Sequence, residues 1–430
     1  MGAADTIFAL SSGSPPAAIA IIRISGLRAF DAVRVLAGRV PESRRASLAT
    51  LRAPSNGDFL DQALLLTFVG PDTATGEDLA ELHLHGGRAV VNAVQEALSA
   101  MAGLRRAEPG EFTRRAFANG QLDLNEAEGL ADLLTAETEW QRRAASTMMG
   151  GGFSRAIEGW RNDLLALSAL TEAELDFSDE DDVGSQNNNY ISDGCMRLHD
   201  VITSIMAVPA AEKLRDGLRV VLGGPPNCGK STLLNALVAR EAAIVSDIAG
   251  TTRDLIEVPV AVSGIPFVFI DSAGVRDGTT DSIEAIGIER ARAAFDIADM
   301  ILWLGDEGAG PDHSDLLEIE AKADKIAGRK SRTAFRLSAL TGEGMSELIE
   351  AIASRAKDML PPPDQFAVNA RQRTLLADAA SALRDAACAD DWLITSEQLR
   401  HARLALDALT GRAHTEDMLD ALFGRFCVGK

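Results

Sequence analysis

Cysteine is scarce and scattered. The four present, Cys195, Cys228, Cys388 and Cys427, form no CxxC pair, which fits reduced thiols of a cytosolic protein rather than a disulfide framework. Positive charge is in deficit: 42 Lys and Arg stand against 63 Asp and Glu, for a net charge of −21. A chain so acidic is not a broad nucleic-acid binder by itself; a nucleic-acid substrate would need a basic partner or a local patch. No apolar run reaches the length of a transmembrane helix, so no membrane partner is expected. No basic or apolar leader precedes the first strand-like stretch, so a cytoplasmic location is expected. Met1-Gly2 with Thr6 matches a myristoylation pattern, but Thr6-Ile7-Phe8-Ala9-Leu10 already reads as a core strand. What the chain does have is apolar content, 46% with a mean hydropathy of +0.03 over 430 residues, enough for two or three globular domains.

One stretch organises the rest. Gly224-Pro225-Pro226-Asn227-Cys228-Gly229-Lys230-Ser231-Thr232 fits GxxxxGK(S/T). The β-branched run Leu218-Arg219-Val220-Val221-Leu222 precedes it, and leucines at helical spacing follow from Thr232 to Val238. Strand, glycine loop and helix form an anion cradle: backbone N–H groups wrap the phosphates and the helix aims its positive end at them. Lys230 can reach the β/γ-phosphates, and the Ser231 hydroxyl can ligate Mg²⁺.

Further motifs follow in the order a GTPase needs. Asp271-Ser272-Ala273-Gly274 closes the apolar run Phe267–Ile270, placing a carboxylate to hold Mg²⁺ through water and the Gly274 N–H to meet a γ-phosphate. Gly250-Thr251-Thr252-Arg253-Asp254 is a switch candidate, since a threonine there can close over Mg²⁺ only when the γ-phosphate is present. Ser338-Ala339-Leu340 follows the strand-like Thr333–Leu337, and its backbone could cover a purine base. Two positions depart from the Ras pattern. Val275 stands where a water-orienting Gln would be, so hydrolysis needs another group or is very slow. The base-reading motif is Ala321-Lys322-Ala323-Asp324: Asp324 can accept from guanine N–H groups and Lys322 can lie along the base, but Ala321 cannot make the bonds of an Asn amide.

Elsewhere the chain changes character. Residues 1–118 read as mixed α/β, with strands at Ala18–Gly26 and Leu64–Phe68. Alternation puts Glu81, His83 and His85 on one strand face. That face is a plain polar surface, a metal site short of a ligand, or a small-molecule pocket anchored by Arg23 and Glu81. From 119 helices are expected: one begun by a capping box at Asn125 and Glu128 with Ala127, Leu130 and Leu134 inward, and a long one through Phe153, Ile157, Trp160, Leu164 and Leu167. The acidic run Asp179–Asp182 and Asn187–Asn189 read as a solvated loop, with helix resuming near Cys195 and ending before Gly217. Residues 217–358 alternate strand and helix, which predicts a mostly parallel, doubly wound sheet. Only Asp306–Asp315 separate two of its strands, short of the dozen or so residues a parallel crossover usually takes, so little or no helix is expected there. After Pro361-Pro362-Pro363, helices return with Leu375, Leu376, Leu383, Leu404 and Leu409 on apolar faces. The simplest arrangement is a helical domain in two pieces, 119–216 and 359–430, with 217–358 inserted between them.

An ordered set of motifs then carries a resemblance over nearly the whole chain. It comprises Asp5-Thr6-Ile7, Ile22–Gly26, the run Glu108–Phe117, Asn119–Leu124, the PNxGKS form of the phosphate loop, Asp247-Ile248-Ala249-Gly250-Thr251-Thr252-Arg253-Asp254, and the FCxGK ending. Together these resemble the MnmE (TrmE) family of tRNA-modification GTPases. The resemblance implies an N-terminal α+β folate-binding and dimerisation domain, a discontinuous helical domain, and an inserted Ras-like P-loop GTPase domain, making the whole a multidomain α/β plus all-α protein. It implies a homodimer that binds a tetrahydrofolate derivative, in the 5-formyl or methylene form, with Arg23, Glu81 and Lys430 at contacting positions. Gln121 replaces a family lysine, so that contact loses its charge. It implies K⁺-dependent hydrolysis, with Asn227, Ser246, Ile248 and Thr251 matching the cation's site, Ser231 and Thr252 matching the Mg²⁺ ligands, and Glu284 matching the acid that positions water. Lys230, Thr252 and Glu284 are then the catalytic set. Cys427 matches a family cysteine near the folate pocket; a small apolar packer at a helix end is the other account of it. The family partner is MnmG, a flavin- and NADH-using protein, and the joint product is a carboxymethylaminomethyl or aminomethyl group on the wobble uridine of certain tRNAs. The competing class is a regulatory or ribosome-assembly switch GTPase, which needs no folate pocket. A weak or promiscuous NTPase is a third possibility that Ala321 leaves open.

Overall fold

The computed structural model describes residues 5–176, 184–243, 256–271, 292–325, 330, 334–413, 416–424 and 426–430. It divides into two compact units, 1–131 with 407–430, and 132–406. By contact, residues 407–430, placed in the helical domain from sequence, group with the N-terminal residues.

In the first unit, β1 (Thr6–Leu10), β2 (Ile19–Ser25), α1 (Ala29–Ala37), β3 (Ser47–Arg52), β4 (Phe59–Phe68), β5 (Leu79–His85), α2 (Arg88–Ser99) and β6 (Leu104–Arg106) build a mixed sheet ordered β3-β4-β5-β2-β1-β6. Its buried face carries Ile22, Ile24, Leu51, Leu65, Leu82 and Leu84, covered by Val33 and Leu36 of α1 and Val91, Val94 and Leu98 of α2. Period-2 alternation sends Arg23, Glu81 and His83 to the opposite face. Next come α3 (Glu111–Ala118) and α4 (Leu124–Thr135). The cap of α4 sits two residues earlier than expected: Asp123 N–H donates to Glu126 Oε2 at 2.8 Å and Glu126 N–H to Asp123 Oδ1 at 2.9 Å. Asn125 is instead fully buried inside the helix, and Leu134 is exposed although Ala127 packs inward. Asp is as good an N-cap as Asn, so composition alone left two registers open.

The second unit opens with α5 (Glu139–Met149), α6 (Gly152–Asp176), α7 (Gly184–Met206) and α8 (Ala211–Asp216). Phe153, Ile157, Trp160, Leu164 and Leu167 of α6 are buried as their spacing predicts. Asn187–Asn189 lie in α7 rather than a loop; Asp179–Asp182 fall outside the described residues. Asparagine's poor helix propensity is a weak prior that packing overrides, here through Ile191, Cys195, Leu198 and Ile202. Cys195 is wholly buried and its thiol is pushed up to about 11 by desolvation. Further helices span Met345–Met359, Ala370–Ala387 and Trp392–Thr410. In the last, Leu399, Ala402, Leu406 and Leu409 face inward, while Leu404 is exposed, contrary to expectation.

Between the helices lies the second sheet. β7 (Leu218–Gly223), α9 (Lys230–Arg240), β8 (Ala242–Ala243), β9 (Ile256–Val262), β10 (Ile265–Asp271), β11 (Met300–Trp303), β12 (Leu316–Glu320) and β13 (Phe335–Arg336) are ordered β13-β12-β11-β7-β10-β9-β8. The strands from β13 to β10 pair in parallel, with β9 and β8 antiparallel at one edge. This is the mostly parallel, doubly wound sheet that the alternation predicts. The Asp306–Asp315 connection contains no helix, also as expected. Polar pins hold it instead: Trp303 Nε1–H donates to Asp306 O at 2.9 Å, Gly308 N–H to Glu318 Oε1 at 3.0 Å, and His313 Nε2–H to Ala298 O at 3.0 Å.

Candidate functional site

The nucleotide site is built from β7 outward. β7 lies between β10 and β11, where strand order reverses, and such switch points open a crevice at the carboxyl ends of the strands. The chain leaves β7 at Gly224, whose φ of 140° favours glycine. Close approach demands it too: a Cβ here would lie 2.9 Å from Gly305 N and 3.1 Å from Cys228 Sγ. Asn227 is left-handed at φ 59°, and Gly229, φ 114°, starts α9. The loop's amides are thus gathered at a helix N-terminus, which suits an anion.

Lys230 is only 5% exposed, and its ammonium bridges the loop, donating to Gly224 O at 2.7 Å and Pro225 O at 3.0 Å. Ser231 Oγ donates to Asp271 Oδ2 at 2.6 Å, and Asp271, the last residue of β10, is 2% exposed. A hydroxyl and a carboxylate side by side are hard oxygen donors, the set that Mg²⁺ prefers. Thr232 continues α9. Cys228 is half-buried, its Sγ 3.9 Å from Lys230 Nζ.

The other end of the site forms where β12 and β13 finish. Lys322 is left-handed, φ 64°, and its Nζ donates to Asn227 O at 2.6 Å, tying this loop to the phosphate loop. Ala323 N–H donates to Leu337 O at 3.0 Å. Ser338 Oγ donates to Asp324 Oδ1 at 2.7 Å, and this hydrogen bond holds the exposed carboxyl below its ordinary range. Ala339 is half-buried and Leu340 is 72% exposed beside it. Of the predicted residues, Lys322 is thus joined to Asn227, Ser231 to Asp271 and Ser338 to Asp324, while Lys230 bonds to carbonyls of the phosphate loop. Ser246, Asp247, Ile248, Ala249, Gly250, Thr251, Thr252, Ser272, Ala273, Gly274 and Glu284 lie outside the described residues.

A second constellation lies on the face of the N-terminal sheet opposite α1 and α2. Arg23 stands directly across from Glu81 in the β2–β5 ladder, and Arg23 Nη2 meets Glu81 Oε1 at 2.9 Å. The guanidinium lies 5.9 Å from the centroid of Phe112 in α3, a cation–π distance. His83 Nε2 is 3.4 Å from Glu81 Oε2, whereas His85 turns to Asp61, with Nδ1 and Oδ1 2.8 Å apart. The trio therefore does not converge; among the described residues no group of His, Cys, Asp and Glu is disposed to hold a metal. Phe112 and Asp61 were missed from sequence, because a strand's period gives the face and not the partners from other elements.

The C-terminal tail belongs to this unit. Pro109 bridges Val428, Ser11 Oγ donates to Gly429 O at 2.8 Å, and Gly110 packs against Phe423 of the helix Glu416–Phe423. Gly429 thus lies against Leu10, and the half-buried Lys430 follows it, its N–H donating to Cys427 O at 3.2 Å. Cys427 is exposed, so it is not an apolar packer. Gln121 is exposed at the turn after α3, its N–H donating to Ala116 O at 2.8 Å. Under α3, Arg105 and Arg115 converge on Glu111, whose oxygens they reach at 2.5 and 3.1 Å. Burial raises the Glu111 carboxyl, but bonds from Arg105, the Glu108 N–H and Arg115 outweigh it and leave it below its ordinary range.

A glycine phosphate loop at the switch point of a mostly parallel sheet, with the Asp324 carboxylate bonded by Ser338 beyond the neighbouring strands, defines a Ras-like P-loop GTPase domain. Residues 124–427 match the family described as MnmE helical domain, and residues 6–121 the one described as GTP-binding protein TrmE N-terminus. The tRNA modification GTPase MnmE of Novosphingobium aromaticivorans is 57% identical over 435 residues, covering 99% of this chain and 100% of that protein. Those of Erythrobacter litoralis and Zymomonas mobilis are 58% and 48% identical, each again covering 99% of this chain and 100% of the relative. The chain belongs to the MnmE family of tRNA modification GTPases.

Proposed function

We propose that the chain is a potassium-activated GTPase that works as a homodimer with an MnmG-like flavin protein. Together they would place a carboxymethylaminomethyl or aminomethyl group on the wobble uridine of certain tRNAs, with a folate supplying the one-carbon unit. The observation that carries the nucleotide half is the buried Lys230 bonded to carbonyls of the phosphate loop, with the adjacent Ser231 bonded to Asp271. Lys230 would exchange its carbonyl partners for phosphate oxygens, a charge-assisted bond. Ser231, with Thr252, would hold Mg²⁺, and Asp271 would orient the ion's shell. Asn227 sits exposed on the rim of the loop in a left-handed conformation, which suits a side-chain oxygen turned toward a cation; Ser246, Ile248 and Thr251 would complete a K⁺ site. Such a cation offsets negative charge that grows on the phosphates. Glu284 would orient the attacking water, since Val275 cannot. Pairing of two such domains would then gate hydrolysis.

For the folate half, the supporting observation is the Arg23–Glu81 pair, with the Arg23 guanidinium over Phe112. A paired cation and carboxylate, both partly exposed, suit a polar, charged ligand. This favours a modifying enzyme over a bare switch, which needs no such face. With a net charge of −21, tRNA binding would depend on the partner.

The test is steady-state GTP hydrolysis in KCl and in NaCl at equal ionic strength, with wild type and Asn227→Ala. Stimulation by potassium of about tenfold or more, lost in the variant, is expected. Equal slow rates in both salts would remove potassium from the account.

A further inference from the structure

We propose that this protein reads the guanine base on one edge only: Asp324 accepts from the N1–H and 2-amino donors, and Ala321 leaves N7 unread. This inference rests on the GTPase assignment above and deepens it.

Ala321 directly follows β12 and lies beside the phosphate loop; a Cβ built on Gly229 would lie 3.7 Å from Ala321 Cβ and 3.8 Å from Lys322 Cε. Asp324 comes three residues after it and is tied to Ser338, beyond β13, rather than to the loop. A purine nucleotide has a matching polarity. Its imidazole ring, with N7, lies toward the ribose and phosphates, and its N1–H and 2-amino groups lie at the distal edge. With the phosphates in the loop, N7 falls on the Ala321 side and the donors fall on the Asp324 side.

The chemistry at each end differs. An ionised carboxylate has about four lone-pair sites; Ser338 takes one on Oδ1, which leaves capacity for two guanine donors. At the near end Ala321 offers a methyl group packed against the domain core. Its neighbour Lys322 has its ammonium engaged by Asn227 O at 2.6 Å. Neither side chain presents a donor to N7. Leu340, 72% exposed, adds an apolar surface for the ring face but no hydrogen bond. Adenine presents no 2-amino group and an acceptor at N1, so the distal carboxylate is sufficient to reject it.

The experiment uses the full chain and measures displacement of a fluorescent GDP by GDP, 7-deaza-GDP, which lacks the N7 acceptor, and IDP, which lacks the 2-amino group. The expected result is that 7-deaza-GDP binds within about twofold of GDP while IDP is weaker by about tenfold or more. In Ala321→Asn, which restores an amide, GDP should gain on 7-deaza-GDP by about fivefold. Wild-type binding of 7-deaza-GDP about tenfold weaker than GDP would overturn the inference and leave the GTPase assignment standing. Failure of GDP itself to bind would overturn both.

Discussion

The two ends of the nucleotide crevice are built from different materials. The phosphate end is backbone: Gly224, Asn227 and Gly229 hold left-handed conformations, and one closely approached glycine sets the path. The base end is a pair of side chains, Asp324 and Ser338, bridging two strand ends. Backbone geometry is fixed by the fold and carries many donors at once. A side-chain clamp carries one or two contacts, so each residue in it decides selectivity. The Arg23–Glu81 pair in the other unit is of the second kind.

Substitutions separate the two kinds. Lys230→Ala should have the largest effect, lowering GTP hydrolysis by about 10²-fold or more, as loss of one transition-state donor does; hydrolysis equal to wild type would mean that the backbone alone suffices. Asp324→Ala should weaken GDP by about 10- to 100-fold while leaving ADP unchanged, since hydrogen bonds to a charged group are worth about 1.5–3 kcal/mol. Parallel losses for both nucleotides would make Asp324 a packing residue. Ser338→Ala should cost GDP only about fivefold near neutral pH. The acid limb of its binding curve should also move up in pH. The Ser338 bond lowers the Asp324 carboxyl, so its loss lets the group protonate at a higher pH, nearer the usual value of about 3.9. An acid limb unchanged from wild type would break the clamp.

Side-chain pairs outside these sites should matter less or differently. Glu111→Gln should destabilise the N-terminal unit by about 2 kcal/mol, less than a fully buried pair because Arg105 is partly exposed. Because the Glu111 carboxyl is depressed in the fold, its stabilisation is full above the unfolded value of about 4.3 and fades as pH falls through the folded one. Urea titrations should show the gap between variant and wild type closing toward acid pH; a constant gap would contradict this. Smallest is Arg114→Ala, whose partners Glu416 and Asp420 are 74% and 61% exposed; the same titration should move by about 1 kcal/mol or less.

The same distinction explains what the sequence revealed. The phosphate loop was legible because glycines and a lysine at fixed spacing dictate backbone shape, and the strands around it because alternation of strand and helix dictates a parallel sheet. The helix-free crossover at Asp306–Asp315 was legible from its length alone. Errors came where several registers satisfy one rule. Asp123 rather than Asn125 begins α4, and Leu404 and Leu134 fall on the solvent side of helices whose neighbours pack inward. Side-chain partnerships were least legible. Glu81, His83 and His85 share a face in sequence, yet Glu81 is claimed by Arg23 from the next strand and His85 by Asp61 from another. Phe112, from a helix 89 residues after Arg23, gave no local signal that it would lie beside it.

The central claim is that a backbone cradle supplies affinity for any nucleotide's phosphates and one clamped carboxylate supplies the preference for guanine. The most direct measurement is displacement of fluorescent GDP from the full chain by GTP and by ATP, for wild type and Asp324→Ala. The account predicts that GTP competes at least about 10²-fold better than ATP in wild type, and that most of this ratio vanishes in the variant because GTP loses affinity while ATP does not. Equal competition by GTP and ATP in wild type, or a ratio that survives the loss of Asp324, would contradict it.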